Sequence, residues 1–164
     1  MTDGEASFSA AGGCTCGRVR FKLTRQPLFV HACHCSLCQR QSGSAFALNG
    51  LIEASHVVHE SGELEEVTLP TGSGKGQTVS RCPNCRIAVW SVYNRLGDTF
   101  RFIRVGTLDE PDTCPPDIHI FTSSKQSWVR IPDDAVAVLE TYDQAQYWPA
   151  ASLERRDAAI AQAN

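Results

Sequence analysis

Seven of the eight cysteines in this 164-residue chain fall into three tight groups, and these groups are its clearest chemical feature. The groups are Cys14-Thr15-Cys16, then Cys33-His34-Cys35-Ser36-Leu37-Cys38, and finally Cys82-Pro83-Asn84-Cys85. In an intracellular protein, clustered cysteines bind metal or perform chemistry more often than they form disulfides. The pattern therefore predicts metal sites, and zinc is the metal that thiolates hold most commonly in a tetrahedron.

Two of the groups are pairs whose spacing suits one shared ion. Cys82 and Cys85 form a Cys-x-x-Cys turn, in which both sulfur atoms can converge on one metal. Cys14 and Cys16 form a Cys-x-Cys on an extended segment, where residues two apart point to the same face. Together the pairs make a complete four-thiolate site. A redox pair is disfavoured because such a pair usually opens a helix, and the residues after Cys85 resemble a strand.

The middle group leaves three thiolates, Cys33, Cys35 and Cys38. Three protein ligands with one open position are typical of a catalytic zinc. Alternatively, His31 or His34 closes the site as a fourth ligand and makes it structural. The position of His34 between two ligands favours a side chain that points away from their ion.

Composition restricts the classes of function. The chain is 42% hydrophobic and 20% charged, with a mean hydropathy of −0.21 and a formal charge of −3. An acidic balance without a basic stripe argues against a nucleic-acid partner. No apolar run approaches the roughly 20 residues of a membrane span. The polar N-terminus lacks the pattern of a secretory signal, so we expect a cytoplasmic protein.

The elements that must position the cysteines are mostly short strands. Residues 17–23 alternate, with Val19, Phe21 and Leu23 on the inner face. Further strands are predicted at 28–32, 45–52, 55–60, 64–69, 77–81, 86–93, 99–106, 117–122 and 127–131. A short helix is expected after Cys38 and another over 149–163. The sequence therefore predicts a compact, irregular all-β domain of short antiparallel strands with little helix, spanning 1–148, and a helical or frayed tail at 149–164.

These residues resemble the glutathione-dependent formaldehyde-activating enzyme family, which includes the centromere protein V group. The resemblance covers roughly residues 10 to 135. It depends on the motifs Gly13-Cys14-Thr15-Cys16-Gly17, Cys33-His34-Cys35-Ser36-Leu37-Cys38-Gln39-Arg40, Gly43-Ser44-Ala45-Phe46, Cys82-Pro83-Asn84-Cys85, Gly106-Thr107-Leu108-Asp109, His119-Ile120 and Trp128. Family members usually carry Gly after the second Cys-x-x-Cys cysteine. Here Arg86 takes that place, which puts the conformation of the turn in question.

The resemblance implies a division of the ligands between two zinc ions per chain. Cys14, Cys16, Cys82 and Cys85 would hold a structural zinc, and Cys33, Cys35 and Cys38 a catalytic zinc that faces substrate. The implied activity is that of a carbon–sulfur lyase run in the synthetic direction. It joins formaldehyde to the thiol of glutathione, or of a similar small molecule, to give S-hydroxymethylglutathione. The alternative is a non-catalytic, zinc-stabilised binding module in which both ions are structural.

Other candidates receive weaker interpretations. The turn around Lys75 lacks the spacing of a phosphate-binding loop, and it precedes the strand that delivers Cys82. Cys114 is expected to be a free loop thiol. Arg40 and Arg81 adjoin proposed ligands and could meet carboxylates of glutathione, although solvated charge is the simpler interpretation. His119 lies in a stretch that matches the family, without an assigned chemical role.

Overall fold

Ten strands in two sheets form the framework of the protein in the computed structural model, which describes residues 8–163. A three-stranded sheet has the order β1-β2-β5, with β1 at Ala10–Gly13, β2 at Arg20–Leu23 and β5 at Val57–Ser61. A seven-stranded sheet has the order β10-β3-β4-β9-β8-β7-β6. Its strands are β3 (Phe29–Cys33), β4 (Ala47–Glu53), β6 (Glu65–Leu69), β7 (Gln77–Arg81), β8 (Ala88–Tyr93), β9 (Phe100–Arg104) and β10 (Ile118–Ile120). The predicted mainly β class is confirmed.

Strand pairing follows the expected antiparallel pattern with one exception. All pairs of these strands are antiparallel except β10 with β3, which run parallel with Ile118 opposite His31. Residues 8–163 also contain five short 3-10 helices and three α-helices: α1 at Ser36–Ser42, α2 at Gln144–Tyr147 and α3 at Ala150–Ala163. None of the helices within residues 8–163 has the length and apolar character that crossing a membrane requires.

The core fills the space between the two sheets. Val19, Phe21 and Leu23 are each 0% exposed, as their alternation in the sequence predicted. Phe21 of β2 meets Trp90 of β8 edge to face, with ring centroids 5.5 Å apart. This contact joins the small sheet to the large one, because aromatic rings bury large areas and favour edge-to-face packing.

Two strand predictions failed for identifiable reasons. Residues 127–131 form a turn, in which the N–H of Val129 donates to the carbonyl of Gln126 at 3.1 Å, so the predicted strand there is wrong. Strand β1 was missed because its sequence, Ala-Ala-Gly-Gly, is poor in strand-forming residues. A Cβ on Gly13 would lie 2.3 Å from the carbonyl oxygen of Val19, so close pairing with β2 requires glycine there.

The C-terminal segment docks on the large sheet. Arg155 of α3 pairs with Glu53 of β4 at 2.7 Å, and their side chains are only 15% and 8% exposed. Arg155 also donates to the backbone carbonyl of Gln26 at 3.1 Å. Just before the helix, Trp148 stacks on Phe29 with centroids 5.3 Å apart. The predicted helix at 149–163 is therefore present, and an ion pair and an aromatic stack hold it.

Removing one partner of this buried pair should destabilise the protein. Arg155→Met leaves the Glu53 carboxylate without its cation, and we expect a loss of about 3 kcal/mol in the free energy of unfolding. Chemical denaturation measures this loss, and Arg130→Met, at an exposed arginine outside the ion pairs, is the control. The double variant Arg155→Met/Glu53→Gln should recover part of the loss. An Arg155→Met protein as stable as the control would contradict this account of α3.

Candidate metal centres

One cluster brings together the two cysteine pairs that the sequence predicted to share an ion. Cys14 follows β1 of the small sheet, and Cys82 follows β7 of the large sheet. The four sulfur atoms of Cys14, Cys16, Cys82 and Cys85 all lie within 4.8 Å of one another. This four-cysteine cluster therefore joins the two sheets at the edge of their common core, and both Cys14 and Cys82 belong to that core.

The spacing of the sulfur atoms fits a tetrahedral ion. The Sγ atoms of Cys14 and Cys16 are 3.5 Å apart, and those of Cys16 and Cys82 are 3.7 Å apart. A zinc–sulfur bond of about 2.3 Å places the corners of a tetrahedron about 3.8 Å apart. The backbone N–H of Val19 also donates to the sulfur of Cys14 at 3.3 Å.

Both loops of this cluster use the same backbone device. The residue after the second cysteine is left-handed in each, with φ of 76° at Gly17 and 65° at Arg86. Each donates its N–H to the carbonyl of the first cysteine, Gly17 to Cys14 at 3.0 Å and Arg86 to Cys82 at 2.9 Å. Arg86 thus adopts the conformation that glycine would favour, and its side chain is fixed by an ion pair with Glu65 at 2.5 Å.

The exposed cysteine of this cluster is readily ionised. The pKa of Cys16 is lowered to about 6, first by the backbone N–H of Arg18 and next by the side chain of Asn84. Deprotonated sulfur is the form that binds metal. The local backbone therefore prepares a ligand before any ion arrives.

The second cluster contains Cys33, Cys35 and Cys38, whose sulfur atoms also lie within 4.8 Å of one another. Cys33 ends β3, Cys35 is the N-cap of α1, and Cys38 lies in the first turn of that helix. The N–H of Cys38 donates to the sulfur of Cys35 at 3.3 Å, so a thiol caps the helix. Helix α1 begins at Ser36, before the predicted start after Cys38, because Cys35 supplies this cap.

The three thiols share their protons unequally. The pKa of Cys35 is lowered to about 2 because Cys33 and then Cys38 donate hydrogen bonds to its sulfur. Its hydrogen bonds with Cys35 and then with Cys38 raise the pKa of the Cys33 thiol. Three converging sulfur atoms, one of them with a strongly lowered pKa, form a candidate site for a cation, since binding a metal displaces the remaining thiol protons.

Neither neighbouring histidine joins the three-cysteine cluster. Nε2 of His31 lies 2.6 Å from the hydroxyl of Tyr142, and Nε2 of His34 lies 2.9 Å from Nδ1 of His119. Burial lowers the pKa of both His31 and His34 to about 4. Among residues 8–163, the group that could hold an ion here consists of the three cysteines alone. His119, which the sequence left without a role, is a buried partner of His34.

A cavity of about 570 Å³ opens beside Cys38. Apolar side chains from β4 and from strands β6 to β8 form much of its wall, including Leu48, Val67 and Val79. Its cations are Arg81, Arg86 and Arg104. Arg81 and Arg86 both pair with Glu65, and the side chain of Arg81 is 33% exposed.

Arg104 is the cation of this cavity that pairs with neutral groups. It donates to the amide oxygen of Asn49 and, at 3.3 Å, to that of Gln41, which lies on the same helix as Cys38. Burial lowers the pKa of its guanidinium, while the charges of Cys38, Tyr93 and Cys33 oppose that effect. The sequence did not predict a role for Arg104, because its strand pattern does not distinguish it from Arg101, the other arginine of β9.

The remaining candidates lie apart from both clusters. Cys114 is outside any disulfide, as predicted, but it is only 1% exposed, and burial raises the pKa of its thiol. Arg40 is exposed on α1, two residues after Cys38 in the sequence. Lys75 lies in the turn between β6 and β7, where the sequence placed it.

Comparison with known proteins finds one family model that matches the chain. A family model described as glutathione-dependent formaldehyde-activating enzyme matches residues 9–124. The crystal structure of a Rhodobacter sphaeroides protein, a structural genomics target, resembles the chain with a TM-score of 0.44 at 19% identity. That likeness covers 60% of this chain and 87% of the other. No curated protein matches the chain significantly.

The four-cysteine cluster should be required for stability. Cys82→Ser removes a ligand that is 0% exposed and joins the two sheets, so we expect loss of one metal ion per chain and a lower melting temperature. Cys114→Ser, at a buried cysteine outside both clusters, is the matched control and should keep the full metal content. Metal analysis by mass spectrometry and thermal melting are the measurements. A Cys82→Ser protein that keeps its metal and melts like Cys114→Ser would show that these four residues are not a structural metal site.

Proposed function

The chain belongs to the glutathione-dependent formaldehyde-activating enzyme family, and from that premise we propose that it joins formaldehyde to glutathione or a similar small thiol. We further propose two zinc ions per chain, a structural ion on Cys14, Cys16, Cys82 and Cys85, and a catalytic ion on Cys33, Cys35 and Cys38. The product would be S-hydroxymethylglutathione. The reaction is an addition without oxidation or reduction.

The observation that carries this proposal is three converging sulfur atoms beside a cavity. Cys33, Cys35 and Cys38 meet within 4.8 Å, and Cys38 lines the space of about 570 Å³. Three protein ligands leave one of the four tetrahedral positions for a substrate. The four-cysteine cluster, in contrast, has a full set of thiolates and supports a structural role.

Zinc, when bound, supplies a Lewis acid that lowers the pKa of a substrate thiol or polarises an aldehyde oxygen. In the balanced reaction the thiol sulfur forms a bond to the carbonyl carbon, and the π bond of the carbonyl breaks. The proton that leaves the sulfur ends on the new hydroxyl oxygen. The chain must therefore accommodate negative charge, first on sulfur and then on oxygen.

Arg104 is the residue placed to accommodate that charge. Three thiolates and a divalent cation carry a net charge of −1, and a fourth thiolate would make the net charge −2. Arg104 lines the same cavity as Cys38, and its hydrogen-bond partners Asn49 and Gln41 are neutral, so its positive charge remains uncompensated by carboxylates. At the reduced dielectric of a half-buried site, this charge favours an anionic ligand beside the cysteines.

Activity should depend on the three-cysteine cluster. We expect the purified protein to accelerate S-hydroxymethylglutathione formation above the uncatalysed rate, and Cys35→Ser to abolish the acceleration and reduce the metal content from two ions to one. Exchange spectroscopy by NMR measures the rate, because the reaction also proceeds unaided. Cys114→Ser is the control and should retain both activity and metal. No acceleration by the parent protein, together with a metal site that no thiol perturbs, would favour the non-catalytic zinc module.

Replacing Arg104 should weaken the binding of any thiol as a thiolate. We expect Arg104→Gln to reduce the affinity for both glutathione and 2-mercaptoethanol by about tenfold, which corresponds to about 1.4 kcal/mol. Cobalt-substituted protein reports binding through its absorption spectrum. Arg101→Gln is the matched control, because Arg101 lies on the same strand but stacks on Trp90 outside this cavity. Equal affinities for the two variants would contradict the role of Arg104.

A further inference from the structure

A second cleft lies along the other side of helix α1. It encloses about 560 Å³ and is lined by Gln39, Arg40, Gly43, Ser44, Ala45, Gln126 and Trp128. Ser44 also lines the cavity beside Cys38, so the two spaces adjoin along one residue. A ligand bound at the three-cysteine cluster can therefore extend past Ser44 into the second cleft.

The indole of Trp128 forms an exposed wall of this cleft. Trp128 is 68% exposed, whereas the other two tryptophans of the chain, Trp90 and Trp148, are 3% and 5% exposed. A large aromatic surface left in water is unfavourable by the hydrophobic effect. Tryptophan is also a frequent anchor in binding sites, because it offers a large contact area with little conformational freedom to lose.

A chain of hydrogen bonds holds this indole relative to the three-cysteine loop. Nε2 of Gln39 donates to the backbone carbonyls of His34 and Ser124, at 2.7 and 2.9 Å. Because carbonyls only accept, the amide of Gln39 must present its oxygen to Nε2 of Gln126, at 3.0 Å. The oxygen of Gln126 then accepts from the indole N–H of Trp128 at 2.7 Å. These hydrogen bonds fix the orientation of both side-chain amides, Gln39 and Gln126. The series begins at the backbone carbonyl of His34, the residue between Cys33 and Cys35.

The charge in the lining of this cleft indicates the kind of ligand. Arg40 is exposed, and none of the five ion pairs within residues 8–163 includes it. A guanidinium recognises carboxylates through paired hydrogen bonds. A cleft lined by an arginine outside those ion pairs and by a hydrogen-bonded indole suits an extended ligand with a terminal carboxylate.

We propose that the cleft between Arg40 and Trp128 is a binding subsite for the carboxylate-bearing arm of the thiol substrate whose sulfur reacts at the three-cysteine cluster. This inference rests on the proposed function, since it assumes that a peptide-like thiol occupies the neighbouring cavity. Arg40 pairs with the carboxylate, and the ligand backbone lies against the indole. The cleft thereby selects a glutathione-like thiol over a small thiol without such an arm.

The test measures binding apart from chemistry, with S-methylglutathione as the probe because its blocked sulfur cannot react. We expect it to change the tryptophan fluorescence of the zinc-loaded protein, since Trp128 is the exposed indole. Arg40→Gln and Trp128→Ala should each bind the probe about tenfold more weakly by calorimetry. Leu139→Ala is the matched control, because Leu139 is 71% exposed and outside both cavities. The diethyl ester of the probe, which lacks carboxylates, should bind the parent as weakly as the probe binds Arg40→Gln.

The kinetic pattern gives a second measurement. In both variants KM for glutathione should rise about tenfold with kcat unchanged, while the rate with 2-mercaptoethanol should equal that of the parent. If Arg40→Gln and Trp128→Ala bind the probe as tightly as Leu139→Ala does, the subsite is overturned even where the reaction proceeds. If the probe binds as expected but no formaldehyde adduct forms faster than background, the subsite stands and the proposed reaction falls.

Discussion

The convergence of four sulfur atoms between the two sheets is the constraint on which the rest of the structure depends. Neither sheet can place these atoms alone, because Cys14 and Cys16 follow β1 and the other two follow β7. Four thiolates within 4.8 Å of one another would repel one another without a cation between them. The two sheets are therefore joined in two ways. Thiolates that bind a cation would hold them together at one edge, and apolar contacts such as that of Phe21 with Trp90 hold them together in the interior.

Because the four-cysteine cluster joins the two sheets, the three-cysteine cluster can have only three protein ligands. Strands β3 and β4 extend from the joined core, and Asn49 on β4 lies two residues along the strand from Ala47, which is the register partner of Cys33. Helix α1 then adds Cys38 and Gln41 one turn apart on one face. The same helix thus carries the candidate metal ligand Cys38 and Gln41, whose side-chain oxygen accepts a hydrogen bond from Arg104. Helix α1 therefore positions both a sulfur atom and the guanidinium of Arg104.

The sequence predicted the metal clusters better than their surroundings. Cysteine spacing is a local property, so both ligand groups could be recognised before any pairing of strands was known. The ion pairs of Arg81 and Arg86 with Glu65 depend on strand neighbours 16 and 21 residues away, and no periodicity encodes such contacts. The same limitation hid Arg104 and β1, whereas the turn at 127–131 was misjudged because Trp-Val resembles a strand until its backbone partners are known.

The four-cysteine cluster also sets how freely the intervening chain can vary. The contact between Cys16 and Cys82 closes a loop of 66 residues, and the entropy of loop closure rises only with the logarithm of length. Doubling that loop would disfavour closure by only about 0.6 kcal/mol. Insertions in the turns between β4 and β7 therefore carry a small polymer-entropy penalty, and natural variation in length is expected to concentrate there, while the spacing inside each cysteine pair stays fixed by coordination geometry.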